Sequence, residues 1–69
     1  MSKPAYCIKL KNLRLCNGFT QADIALILDI RQEQYSKYES GVHQLPIQLL
    51  IKLCKLYKIS ADYVLGLKF

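Results

Sequence analysis

The sequence predicts an all-α fold in which five short helices form a single domain over residues 1–69. Apolar residues recur at intervals of three and four in separate stretches, which is the spacing of one face of a helix. Between these stretches stand residues that begin or end helices, among them Gly18, Thr20 and Gly41. A single core in so short a chain is marginally stable, so association with a second copy would help.

The first helix is predicted over about Ala5–Cys16. It is amphipathic, because apolar and basic residues alternate on it: Tyr6, Leu10 and Leu13 beside Lys9, Lys11 and Arg14. Its expected role is to support the other helices. Gly18, after Asn17, ends the helix. Phe19 then precedes Thr20, a position from which its ring can pack toward Ile24 as a hydrophobic staple.

The stretch Thr20–Gly41 predicts two short helices joined by a tight turn. Thr20 is a good N-cap, and Asp23 places negative charge in the first turn of the helix. One side of this helix is apolar, and Ala25 on that side is small enough for another helix to approach closely. The periodicity breaks at residues 29–31, which we interpret as the turn.

The third and fourth helices differ in the width of their apolar surface. The third runs from Gln32 until Gly41 and carries Tyr35 and Tyr38 three residues apart. The fourth, from Ile47 to Lys58, is apolar almost all round and is therefore expected to be buried on more than one side, partly against the other helices and partly against another subunit.

Ser60 is the cap of a fifth helix, residues 61–65, which Gly66 ends. We expect Tyr63 and Leu65 to complete the core. The end of the chain carries more apolar residues than the core needs, which suggests an interface. A symmetric dimer is predicted to form through them. The alternative is that the last of them fold back or fray. The predicted interface residues are Val64, Leu67 and Phe69.

Over Thr20–Gly41 the sequence resembles the helix-turn-helix of the Cro and phage-repressor class, also called XRE-like. The resemblance extends over about residues 8–66 and implies a lambda-repressor-like fold. The residues that carry it are Gln21, Ala25, Ile30, Tyr35, Tyr38, Glu39 and Gly41. One departure is Asp29, since the family prefers Gly in the turn. Asp is among the few other residues that tolerate the left-handed conformation expected there.

The resemblance implies that the third helix enters the major groove of DNA while its tyrosines face inward. Gln, Glu and Lys side chains can read adenine, cytosine and guanine edges, although a polar helix face can equally be solvated. Gln21 is expected to donate to a phosphate and to brace Gln32. His43 is either a phosphate donor or an ordinary loop residue. The predicted DNA-binding residues are Gln21, Arg31, Gln32, Glu33, Ser36, Lys37 and His43.

The resemblance also implies an ion pair between Arg14 of the first helix and Glu39 at the end of the third. Such a pair would tie the two helices together, and removal of one partner would leave the other charge uncompensated. The alternative is that Arg14 is a solvated surface charge.

Composition favours binding to a nucleic acid over catalysis or metal binding. Ten Lys and Arg against five Asp and Glu give a formal charge of +5, which favours a polyanion. Cys7 and Cys16 would lie about 13.5 Å apart on one helix, too far for a disulfide, and Cys54 is expected to be buried. One histidine and scattered carboxylates predict no metal site, no cofactor, no small-molecule ligand and no enzyme. Without a membrane span or secretory signal, a cytoplasmic protein is predicted.

The function predicted from these patterns is a sequence-specific, DNA-binding transcriptional regulator, acting as a homodimeric repressor on an operator. Two alternatives remain open from the sequence. One is the antitoxin of a toxin–antitoxin pair. The other is a protein-interaction module that has lost DNA binding and docks a partner through its apolar helices.

Overall fold

The structure is a computed structural model that describes residues 4–60 and 63–64. These residues form four α-helices and no strand: α1 (Ala5–Cys16), α2 (Gln21–Leu28), α3 (Gln32–Ser40) and α4 (Ile47–Tyr57). The predicted all-α class is therefore confirmed. The predicted count of five helices is not supported, because the fifth, residues 61–65, lies outside the described residues except for two positions.

The helix boundaries have local causes. Thr20 Oγ1 accepts a hydrogen bond from Asp23 N at 3.0 Å, and Thr20 N donates to Asp23 Oδ2 at 2.9 Å, so the start of α2 carries a reciprocal capping box. Asp29 ends α2 in the left-handed conformation predicted for it, with φ 59°. Gly41 ends α3 at φ 84°, and Lys58 at φ 56° ends α4 one residue earlier than predicted.

The core is built around α3, which packs against both α1 and α2. Tyr35 is the largest of the fully buried side chains and belongs to one apolar cluster with Leu10 of α1, Ile24 of α2 and Leu53 of α4. Tyr38 is buried in the same cluster. The apolar side of α3 therefore faces the interior, and its remaining positions are turned outward.

The register of the last described residues is the reverse of the prediction. Val64 is fully buried in the core, whereas Tyr63 is about half exposed (48%). Lys9 Nζ donates to the Tyr63 carbonyl oxygen at 2.9 Å and lies 5.2 Å from the centre of the Tyr63 ring, so Tyr63 contacts α1 at the surface. The Val64 side chain is directed into the core, and it is not available for the predicted dimer interface. Leu65, Leu67 and Phe69 lie outside the described residues.

Within the described residues the fourth helix packs on the core through one broad face, while Ile47 and Ile51 remain 59% and 47% exposed. The expectation that this remaining apolar surface is covered by another subunit stays a prediction. The buried residues are Leu49, Leu50, Leu53 and Cys54. None of the helices in the described ranges combines the length and the apolar character that crossing a membrane requires.

Candidate nucleic-acid interface

The outward side of α3 presents a set of polar side chains. Because Tyr35 and Tyr38 are buried, Gln32, Glu33 and Lys37 are left exposed, and Ser36 is half-buried. These four residues, together with Gln21 at the start of α2, line one surface depression. Five of the seven predicted DNA-binding residues are thus brought together by the packing of α2 on α3.

Gln34 is not part of this depression. Its Nε2 donates to the Tyr38 hydroxyl at 2.8 Å, one helical turn further along α3. This bond gives the buried tyrosine a partner for its polar tip and holds Gln34 to the side of the helix.

Gln21 is anchored to the far end of α3. Its Nε2 donates to Glu39 Oε1 at 3.3 Å, which places the amide between the depression and the protein interior. The resemblance implied instead that Gln21 braces Gln32. The two side chains line the same depression, but the hydrogen bond of Gln21 is with Glu39. The carbonyl oxygen and the second amide N–H of Gln21 stay available to a ligand.

Glu39 also accepts two hydrogen bonds from Arg14 in a bidentate arrangement. Arg14 Nε and Nη2 each lie 2.9 Å from one oxygen of the carboxylate, and Nη1 donates to the Phe19 carbonyl oxygen at 2.9 Å. The two side chains are only 9% and 4% exposed. Arg14 is therefore a buried partner that ties α1 to α3, not a solvated surface charge.

The electrostatics of this pair favour its charged form. The hydrogen bond to Glu39 raises the pKa of Arg14 above its ordinary value. Burial alone would raise the pKa of Glu39, but hydrogen bonding to its carboxylate, first of all from Arg14, outweighs burial, and the net direction is downward. Both groups therefore stay ionised at neutral pH.

Two buried tyrosine hydroxyls lie close to the pair. Burial and the negative charge of Glu39 raise the pKa of Tyr57 to about 12 and that of Tyr35 well above its usual range. Neither hydroxyl has a hydrogen-bond partner of good geometry within the described residues. The ion pair thus lies at the edge of the core beside these tyrosines, and its bidentate geometry fixes the orientation of α3 relative to α1.

The other two predicted contact residues lie beside the depression. Arg31 is exposed at the N-cap position of α3 and makes no capping hydrogen bond with its side chain. His43 is exposed in the loop after α3, and its backbone N–H donates to the Lys37 carbonyl oxygen at 3.1 Å. That bond holds the loop against the end of α3.

A second depression adjoins the first, and the sequence reasoning had not identified it. It shares Gln21 and Ser36 with the first one and is completed by Lys11, Arg14, Glu39 and Ser40. One signal for Lys11 was present, since it precedes Arg14 by three residues and so lies on the same face of α1.

Comparison with known proteins agrees with this geometry. A family model described as a helix-turn-helix domain matches residues 8–68, nearly the whole chain. The chain belongs to this helix-turn-helix family. The resemblance to XRE-like regulators is thereby confirmed, and the family is one of DNA-binding regulators.

Several curated relatives of this helix-turn-helix domain come from Bacillus subtilis (strain 168). The uncharacterized HTH-type transcriptional regulator YobD is 36% identical over 62 residues, which cover 90% of this chain and 55% of YobD. The HTH-type transcriptional regulator ImmR is 38% identical over 58 residues, 84% of this chain and 46% of ImmR. The SPbeta prophage-derived regulator YonR is 33% identical over 57 residues, 83% of this chain and 53% of YonR.

The helix-turn-helix chain spans about half the length of these relatives. No solved structure matches it significantly.

Proposed function

We propose that this helix-turn-helix domain binds double-stranded DNA in a sequence-specific manner, with α3 in the major groove, and that it regulates transcription by occupying an operator. The observation that carries the proposal is the burial of Tyr35 and Tyr38, which leaves the polar side of α3 facing outward. The names of the relatives, all HTH-type transcriptional regulators, support the same function.

The polar side chains divide into two roles. Gln32, Glu33 and Lys37 are exposed on α3 and suit the edges of adenine, cytosine and guanine, respectively. Gln21 and Arg31 suit phosphates, because they lie at the first residue of α2 and at the N-cap of α3. Ser36 is proposed as a further base contact and His43 as a phosphate donor.

Repression is the direction of regulation that we favour, since a protein bound at an operator competes with polymerase for the site. A two-fold dimer would place two recognition helices one turn of DNA apart, about 34 Å. Leu67 and Phe69 remain proposed interface residues. Sedimentation in which the chain stays monomeric at high concentration would contradict the dimer.

The experiment for base reading is a binding selection on random duplexes. We expect the wild-type chain to enrich one sequence motif. Gln32→Ala should change that motif, whereas Gln21→Ala should weaken binding to all sequences evenly. An equal loss across sequences for Gln32→Ala would show that its side chain reads no base.

Ionic strength separates DNA binding from hydrophobic docking. Phosphate contacts make affinity for a duplex fall steeply as salt rises, because binding releases counterions. If the chain selects no duplex but captures a protein with salt-insensitive affinity, the interaction module would replace the regulator.

A further inference from the structure

The second depression extends the polar surface of α3 onto α1. Its two shared residues, Gln21 and Ser36, form the border with the first depression. Lys11 stands on the other side of that border and is exposed. The polar surface of α3 is therefore continuous with the part of α1 that carries Lys11.

The charge balance of this second depression is positive. Its carboxylate, Glu39, is already neutralised by the bidentate bond from Arg14 and accepts a further hydrogen bond from Gln21. Within the described residues Lys11 forms no ion pair, because the salt bridge found there joins Arg14 to Glu39. One uncompensated cation thus remains in a depression that also contains the Gln21 amide and the Ser36 hydroxyl.

Such a group of donors suits a single anionic oxygen group. A lysine ammonium offers three donors and no acceptor, the amide offers N–H groups, and the serine hydroxyl can donate. The Ser40 hydroxyl is already committed, since its Oγ donates to the Lys37 carbonyl oxygen at 3.2 Å.

We propose that Lys11 binds a backbone phosphate of the same duplex that α3 reads, so that the DNA interface includes α1. This inference rests on the proposed function. It gives α1 a direct part in binding, in addition to its support of the core. Because a phosphate carries no sequence information, Lys11 contributes affinity and orientation but no sequence preference.

The test compares Lys11→Gln with Lys55→Gln. Lys55 is an exposed lysine of α4 that lines neither depression, so both variants remove one surface charge. Affinity for the selected duplex is measured between 50 and 200 mM salt. For Lys11→Gln we expect a slope of log K against log salt that is shallower by about 0.9, and binding roughly five- to tenfold weaker at 0.1 M salt.

Lys11→Gln should lower affinity for unrelated duplexes by a similar factor, and Lys11→Arg should restore the wild-type slope. Lys55→Gln should keep the wild-type slope. Identical slopes for wild type and Lys11→Gln, with normal wild-type binding, would overturn this inference alone. Failure of the wild-type chain to bind any duplex would overturn the proposed function together with it.

Discussion

The buried pair of Arg14 and Glu39 makes a strong prediction about stability. Arg14→Met removes the cation but keeps an unbranched apolar stem in its place. Glu39, whose side chain is only 4% exposed, would then be a carboxylate without its cation, although the Gln21 amide would still donate to it. Removal of one partner of such a pair typically costs about 3–5 kcal/mol.

This cost is large for so small a domain. Folded proteins have unfolding free energies of roughly 0.05–0.15 kcal/mol per residue, which gives about 3–10 kcal/mol for 69 residues. We therefore expect Arg14→Met to lose a third or more of the stability, and to be partly unfolded at room temperature if the wild type lies at the lower end of that range.

The assay is urea unfolding followed by far-ultraviolet circular dichroism, with the free energy taken by linear extrapolation. The double variant Arg14→Met with Glu39→Leu should recover most of the loss, since replacement of both partners leaves no uncompensated charge. Lys55→Met is the matched control and should be close to neutral. A loss below about 1 kcal/mol for Arg14→Met, the value of an exposed pair, would refute the buried arrangement.

Three further predictions concern pH, the turn and the last described residues. Folding lowers the pKa of Glu39 from 4.5, so its contribution to stability is present above pH 4.5 and is lost as the pH falls through the folded-state pKa. In urea melts at a series of pH values, Glu39→Gln should therefore reduce the loss of unfolding free energy at acid pH. An unchanged loss would exclude Glu39 as its source. Asp29→Gly relieves the strain of the left-handed backbone and should raise the unfolding free energy by about 0.5–1 kcal/mol. Asp29→Val should lower it by more than about 1 kcal/mol, and a valine variant more stable than the glycine variant would contradict the φ of this residue. Val64→Ala should cost about 2 kcal/mol in thermal unfolding and Tyr63→Ala well under 1 kcal/mol, while similar costs would argue against the observed register.

Much of the fold could be predicted because its signals are local. The capping box of Thr20 and Asp23, the left-handed Asp29 and the glycine after α3 each act within a few residues of themselves. Such signals do not depend on which helix packs where. They located α1, α2 and α3, whereas the inward direction of the tyrosines on α3 was implied by the family resemblance.

The sequence is ambiguous where it offers several apolar choices. Tyr63 and Val64 are adjacent and either could be buried, and the packing of the helices places Val64 in the core while Tyr63 contacts Lys9 at the surface. On α4 the pattern is apolar almost all round, and packing selected the face of Leu50 and Leu53 while Ile51 stayed at the surface. Hydrophobicity alone does not distinguish between such neighbours.

By itself, the sequence determined the helical class, the position of the turn and the set of polar residues on α3, because capping and periodicity are properties of neighbouring residues. The tertiary structure decided that Gln21 bonds to Glu39, that Val64 is buried, and that Lys11 of α1 adjoins the surface of α3. These three contacts depend on how separate helices pack together. A sequence pattern gives distances along the chain, but it does not give distances between residues that are far apart in the chain and close in space.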